Sequence, residues 1–281
     1  MDIAYKIEEV REKVRVWRKE GKTIGFVPTM GYLHEGHKSL ITKCREESDI
    51  VIVSIFVNPI QFGVNEDLDK YPRDFERDRE LILDAGGDLV FHPEVSEIYP
   101  NKINTYVEVN GVSEGLCGAK REGHFTGVAT VVTKLFNIIN PDRAYFGEKD
   151  AQQVAVIKTM VRDLNMPVEI IGCPIVREED GLAKSSRNVY LNDNERKAAL
   201  VLNESLNKAK EALEFGQRDA LNLIKIIKAT IEREPLAKID YIEIVDSLTL
   251  KSISKIETSV LIAIAVYIGK TRLIDNFTYG F

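Results

Sequence analysis

The chain has no apolar run long enough to cross a bilayer: the longest, Val260 to Ile268, has nine residues, against the roughly 20 that a spanning helix needs. Excess positive charge is also missing. Thirty-eight Lys and Arg stand against 44 Asp and Glu, giving a net charge of −6 and a pI near 5.5. This argues against the broad cationic surface that binds nucleic acid, so any anion site must be local. Cysteine is scarce. Cys44, Cys117 and Cys173 are odd in number and far apart, which fits neither a disulfide framework nor zinc-ligand spacing, and they are expected to be structural thiols. Internal repeats and low-complexity tracts are absent. The N-terminal stretch runs into an amphipathic pattern (Ile3, Ile7, Val10, Val14, Trp17) without the apolar core and cleavage site of a signal peptide, so a cytoplasmic location and no membrane span are expected.

What is present is an ordinary globular composition, 44% hydrophobic and 29% charged over 281 residues, a length that suggests two domains. Strand-like runs at Thr23–Val27, Ile50–Val57, Asp88–Phe91 and Val168–Ile171 alternate with helical patterns at Lys38–Glu47, Asp74–Ala85, Thr126–Ile139 and Asp150–Leu164. Such alternation implies βαβ units and an α/β fold, a Rossmann-like, doubly wound parallel sheet with ligands beyond the C-terminal ends of its strands. After about Val176 the texture changes to two long helical patterns, Asp193–Phe215 and Asp219–Arg233, followed by strand-like Ile239–Val245, Val260–Ile268 and Thr271–Asp275. A smaller α+β C-terminal domain is therefore expected, with Gly269-Lys270 as a tight hairpin turn. The expected partition is residues 1–176 and 177–281.

The segment Pro28-Thr-Met-Gly-Tyr-Leu-His-Glu-Gly-His37 places two of only four histidines three residues apart, directly behind a strand. Strand-to-helix junctions bind anions through free backbone N–H groups and the positive end of the helix dipole. Zinc ligation fits less well, because a His-Glu-x-x-His site needs i, i+4 spacing on a helix and here a glycine intervenes. A bland structural turn remains an alternative.

Three later segments offer partners. Phe56-Val-Asn-Pro-Ile-Gln-Phe-Gly63 sets the amides of Asn58 and Gln61 at the end of an apolar strand, suited to the hydroxyl and carboxylate groups of a small substrate, or simply to a turn built on Asn58-Pro59. Asp142 to Gln153 reads as strand, glycine turn and helix start. Gly147 permits close backbone approach, Lys149 offers a phosphate charge, and Asp150 either accepts ribose hydroxyls or caps the helix, with Gln153 one turn further on. Arg177 to Asn188 gathers Lys184, Ser185, Ser186 and Arg187 in a stretch whose composition suits a mobile loop closing over a triphosphate, or a plain solvated loop.

Taken together, Pro-Thr-Met-Gly-x-Leu-His-x-Gly-His (28–37), Phe-Val-Asn-Pro-x-Gln-Phe (56–62), Tyr-Pro-Arg (71–73), Gly-His-Phe-x-Gly-Val-x-Thr-Val-Val (123–132), Phe-Gly-x-Lys-Asp-x-Gln-Gln (146–153) and Arg-Glu-x-Asp-Gly-Leu-Ala-x-Ser-Ser-Arg-Asn (177–188) closely resemble the pantoate–β-alanine ligase family. That family belongs to the nucleotidyltransferase group related to class I aminoacyl-tRNA synthetases. The resemblance implies ATP-dependent joining of pantoate to β-alanine through a pantoyl adenylate, with Mg²⁺, in a homodimer. It implies that Met30, Gly31, Tyr32, Leu33, His34, Glu35, Gly36 and His37 bind ATP, with His34 and His37 donating to phosphate oxygens and His37 catalytic. It further implies that Gln61 and Gln153 hold pantoate, that Asn58 and Arg121 support that pocket, and that Gln61 also lies near β-alanine. Gly147, Glu148, Lys149 and Asp150 bind the nucleotide on the same grounds. Val176 meets adenine through its backbone, and Lys184, Ser185, Ser186 and Arg187 form the phosphate loop that opens a C-terminal lid domain. Lys184 departs from the family pattern, in which an apolar residue often precedes Ser-Ser-Arg. No metal-ligand set stands out, so Mg²⁺ is expected on phosphate oxygens and water. Two other readings stay open: a nucleotidyltransferase of the same fold that transfers AMP or CMP to a phosphorylated substrate, and a nucleotide-sensing module without catalysis.

Overall fold

The computed structural model describes residues 1–63 and 66–280. The first elements are β1 (Asp2–Ala4), α1 (Ile7–Lys19), β2 (Ile24–Thr29), α2 (Glu35–Glu47), β3 (Ile50–Ile55), α3 (Phe75–Asp84), β4 (Leu89–Phe91) and α4 (Val95–Ile98). The next are α5 (His124–Ile139), β5 (Arg143–Gly147), α6 (Ala151–Asp163) and β6 (Glu169–Cys173). The C-terminal part adds α7 (Asp193–Ala198), α8 (Leu200–Glu214), α9 (Ala220–Ile231), β7 (Ala237–Asp246), β8 (Val260–Ile268) and β9 (Thr271–Tyr279).

The first six strands form one parallel sheet in the order β1-β4-β3-β2-β5-β6. From β2 the chain winds outward through β3 and β4, then returns to β5 on the other side of β2. This reversal makes the C-terminal end of β2 a topological switch point, the place where such sheets take ligands. The expected α/β architecture is present. Its central strands are buried along nearly their whole length because helices cover both faces: Val51, Ile52, Val53 and Ser54 on β3 are all buried. On β2, Phe26 meets Phe136 of α5 edge-on, with ring centroids 6.3 Å apart.

Several boundaries differ from the sequence reading. The N-terminal stretch begins with β1, paired to β4, a strand of three residues and too short for periodicity to reveal. Helix α2 starts at Glu35 rather than Lys38, so both histidines belong to its first turn. The single helix expected over Asp193–Phe215 is broken at Ala199 into α7 and α8.

The chain divides into two compact units that are not contiguous in sequence. Unit 1 comprises Met1–Asn110, Arg121–Glu148 and Gln153–Pro174 and contains the parallel sheet. Unit 2 comprises Gly111–Lys120, Lys149–Gln152 and Ile175–Phe281. Within unit 2, β7, β8 and β9 form an antiparallel sheet, and β8 joins β9 through a turn at Gly269, which has φ +57°. Leu202, Leu206 and Leu213 of α8 and Leu223, Ile227 and Ile231 of α9 share one core with Ile262, Ile264 and Val266 of β8. The two short excursions of the chain into unit 2 are tied by Gln152, whose Nε2 donates to the carbonyls of Val112 (3.0 Å) and Gly115 (2.8 Å), while its Oε1 accepts from Cys117 N (2.9 Å).

Candidate active site

In unit 1 the segment leaving β2 is held by side chains from below. Thr29 Oγ1 donates to the Ser54 carbonyl at 2.7 Å and accepts from Gly31 N at 3.2 Å. Gly31 (φ +83°) and Tyr32 (φ +49°) both adopt the left-handed conformation, which costs a non-glycine residue about 1 kcal/mol or more. Asp78 of α3 offsets that cost. Its carboxylate is 1% exposed and accepts from Tyr32 N at 2.7 Å and Leu33 N at 2.6 Å. Burial raises its pKa above the ordinary carboxylate value, and the two amides pull against that rise. The preceding Arg77 holds the other side, donating to the Leu33 carbonyl at 3.0 Å and lying 4.8 Å over the Tyr32 ring.

The two histidines form a capping box at the start of α2. His34 is the N-cap and its Nδ1 accepts from Gly36 N at 3.1 Å; the Nδ1 of His37 accepts from His34 N at 3.3 Å. The motif usually pairs Ser or Thr with Glu or Gln, and here imidazoles fill both places. The i, i+3 spacing is therefore a helix-start spacing. Because each Nδ1 is an acceptor, the neutral rings carry their protons on Nε2. Gly36 allows the fold-back: a Cβ there would lie 2.9 Å from His34 Cε1. Glu35, between them, is exposed.

The second cluster of unit 1 gathers behind β3. Asn58 is 1% exposed; its Nδ2 donates to Gln61 Oε1 (3.0 Å) and to the Gly127 carbonyl (3.1 Å), and its Oδ1 accepts from Tyr99 OH (2.9 Å). Gln61 Nε2 in turn contacts Met30 Sδ at 3.0 Å, which joins this cluster to the turn after β2. Gly127 of α5 permits the close approach, since a Cβ there would fall 2.5 Å from the Ile60 carbonyl oxygen. His124 donates from Nδ1 to the Gln61 carbonyl (2.8 Å) and accepts at Nε2 from Arg121 Nη1 (2.9 Å). The rest of the Arg121 guanidinium forms a two-point ion pair with Glu66, both contacts 2.6 Å. Arg121 thus braces the Gln61 segment. Gln153, on α6, is half-buried. Gly147 ends β5 without a left-handed φ, and a Cβ there would meet no described atom within 4 Å, so neither conformation nor packing requires glycine.

In unit 2, Lys149 Nζ lies 3.4 Å from Asp150 Oδ2, and the Lys149 carbonyl accepts from Asn276 Nδ2 at 2.8 Å. Residues 176–184 form a small hairpin: Lys184 N donates to the Val176 carbonyl at 3.0 Å, Arg177 bridges Ala183, and Glu178 N donates to the Leu182 carbonyl at 2.8 Å. Leu182 and Ala183 are buried. The stretch read from composition as a solvated or mobile loop is thus internally bonded. Lys184 pairs with Glu178 at 3.1 Å. Ser185 caps the 3-10 turn Ser186–Tyr190, its Oγ accepting from Arg187 N at 3.2 Å.

The sequence motifs include Gly127 and Gln152 without pointing to their roles, and they miss Asp78 and Tyr99 altogether. Asp78 left one legible trace: it falls four residues before Ile82, on the buried face of an otherwise amphipathic helix. Tyr99 left none, because its partner Asn58 lies 41 residues away.

The model for the family described as pantoate-beta-alanine ligase matches residues 2–278. A pantothenate synthetase of Clostridium acetobutylicum is 63% identical over 280 residues, covering 100% of both chains. Among solved structures, a pantothenate synthetase of Thermus thermophilus superposes with a TM-score of 0.94 at 45% identity, covering 99% of each chain. A pantoate-beta-alanine ligase of Francisella tularensis, complexed with beta-gamma ATP and beta-alanine, gives a TM-score of 0.79 at 38% identity, covering 99% of this chain and 97% of that one.

Asp78→Asn leaves one oxygen for two amides and sets an NH₂ against the other. Amide exchange at Tyr32 and Leu33 should accelerate about 10- to 100-fold, the scale of a lost charge-assisted hydrogen bond, while β2 amides keep their protection. Unchanged exchange would show that something else holds the turn. A pH test applies to Glu66. Burial raises its pKa, but Arg121 outweighs burial and holds the carboxyl below the ordinary 4.5. The pair therefore stabilises the fold above about pH 4.5, and that contribution is lost as pH falls through the depressed pKa. Glu66→Gln should lower the urea midpoint at pH 7, with the gap to wild type closing below about pH 4.5. A gap independent of pH would exclude the ion pair as its source.

Proposed function

The chain belongs to the pantoate-beta-alanine ligase family, and we propose how its residues divide that family's reaction, the ATP-dependent condensation of pantoate with β-alanine to pantothenate, AMP and pyrophosphate. A carboxylate is a poor acyl donor at neutral pH. Its oxygen attacks the α-phosphorus of ATP, the bond to the α,β-bridging oxygen breaks and pyrophosphate leaves, giving pantoyl adenylate. The amine of β-alanine, as the free base, then attacks the acyl carbon and AMP departs. Little covalent chemistry falls to the protein, so positioning and charge stabilisation carry the rate.

The observation that carries this reading is the histidine capping box. It engages both Nδ1 atoms with backbone donors, so each neutral ring carries its proton on Nε2, and it sets both rings at the positive end of α2. In unit 1, residues Met30 to His37 bind ATP phosphates through these donors, with His37 the catalytic donor as negative charge grows on the leaving pyrophosphate. Gln61 and Gln153 hold pantoate; Asn58 fixes the Gln61 amide, and Arg121 acts through His124 and Glu66 rather than on substrate. The open space over Gly147 suits close approach of a nucleotide. In unit 2, Lys149 and Ser185 to Arg187 contact phosphates, Asp150 takes ribose hydroxyls and the Val176 backbone meets adenine. Lys184 is neutralised by Glu178 and is assigned no phosphate.

Among the described residues no three His, Cys, Asp or Glu side chains converge into a metal cage. A Mg²⁺ ion, implied by family resemblance, would enter with ATP and supply positive charge to its phosphates, and no step is routed through it. No described helix is long and apolar enough to cross a membrane. A cytoplasmic homodimer completes the reading on family resemblance alone.

Incubation with ATP, pantoate and β-alanine should yield AMP and pantothenate, and pyrophosphate release that ignores pantoate would refute the assignment. His37→Ala should slow single-turnover adenylation roughly 10²- to 10³-fold, the scale for one preorganised donor. Near-normal adenylation would remove His37 from the catalytic role.

A further inference from the structure

Strand β9 carries two adjacent buried polar residues, Asp275 at 2% and Asn276 at 6% exposure, to which the reaction above gives no part. Neighbours on a strand point to opposite faces, and these two reach different segments of unit 2. Asp275 receives both terminal nitrogens of Arg177, at 2.7 and 3.0 Å, and Arg177 also donates to the Gly181 carbonyl at 3.1 Å. Arg177 stands at the base of the hairpin whose returning arm leads to Ser185, Ser186 and Arg187. Asn276 Nδ2 donates to the carbonyl of Lys149 at 2.8 Å, fixing the main chain from which that cation projects. A further bond, Asn276 N to Asp275 Oδ1 at 2.8 Å, orients the carboxylate.

We propose that Asp275 and Asn276 are positioning residues for ATP, a pair on one strand that sets the spacing between Lys149 and the Ser185–Arg187 segment. Packing alone gives no reason for them, because a buried ion pair is often replaceable by apolar residues at no loss of stability. The geometry supplies the reason: Asn276 holds the Lys149 carbonyl directly, and Asp275 holds the Arg177 side chain, which in turn holds the Gly181 carbonyl of the hairpin leading to Ser185. The inference rests on that assignment, and Lys149→Ala serves as its control.

Asn276→Asp keeps the side-chain shape but turns the donor facing the Lys149 carbonyl into an acceptor; Asp275→Asn removes the charge opposite Arg177. Each should raise the KM for ATP about tenfold, the effect of one lost hydrogen bond of about 1.4 kcal/mol, with the KM values for pantoate and β-alanine within about twofold of wild type. Equal rises in all three KM values, or a fall in kcat at unchanged KM for ATP, would mark a merely structural role and overturn the inference. If Lys149→Ala weakens ATP use while both β9 variants behave as wild type, the positioning inference alone fails. If Lys149→Ala leaves the KM for ATP unchanged, the ATP assignment itself fails, and the inference with it. Should one β9 variant not fold, the other decides; if neither folds, the pair is structural and the inference is overturned.

Discussion

The arrangement of unit 1 depends on one buried carboxylate. Asp78 holds the amides of Tyr32 and Leu33 at hydrogen-bonding distance, and only with them fixed can the chain turn through two left-handed residues and enter α2 with its histidines in the first turn. A buried charge is costly in isolation. Here the cost appears as the upward pull on its pKa, and the two N–H donors are what offset it. The Arg77 side chain, one position earlier on the same helix, holds the Leu33 carbonyl and covers Tyr32, so α3 grips both polar edges of the turn.

From that constraint the rest of the cluster follows in order. The turn delivers His34 to the N-cap, the capping box fixes which nitrogen of each ring carries the proton, and Met30 is left beside Gln61. Gln61 is oriented by Asn58, and Asn58 by Tyr99 and the Gly127 carbonyl. Amide side chains have two nearly isosteric orientations, and this relay selects one. The Gln61 amide is thus aimed through a chain of buried neighbours that begins at Tyr99 and the Gly127 carbonyl.

Much of this is legible in the sequence, for identifiable reasons. The parallel sheet announces itself through strongly apolar runs such as Ile50–Ile55, and the glycine-punctuated motifs follow those strands, as the switch-point rule requires. The true start of α2 is obscured because histidine is not a usual N-cap and Gly36 reads as a turn; only the structure shows imidazoles completing a capping box. The break at Ala199 is hidden because good helix formers flank it. The contributions of Tyr99, Asp275 and Asn276 are invisible for another reason. Their bonds join residues 41, 98 and 127 positions apart, and no local pattern encodes such a pairing.

The chemistry turns on activation of a carboxylate at the α-phosphate of ATP. Isotope transfer in a single turnover tests it most directly, using pantoate with both carboxylate oxygens replaced by ¹⁸O, unlabelled ATP and β-alanine. If the carboxylate attacks the α-phosphorus and the amine then displaces AMP, the AMP released carries one ¹⁸O and pyrophosphate carries none. Unlabelled AMP, or label in inorganic phosphate alongside ADP, would contradict it.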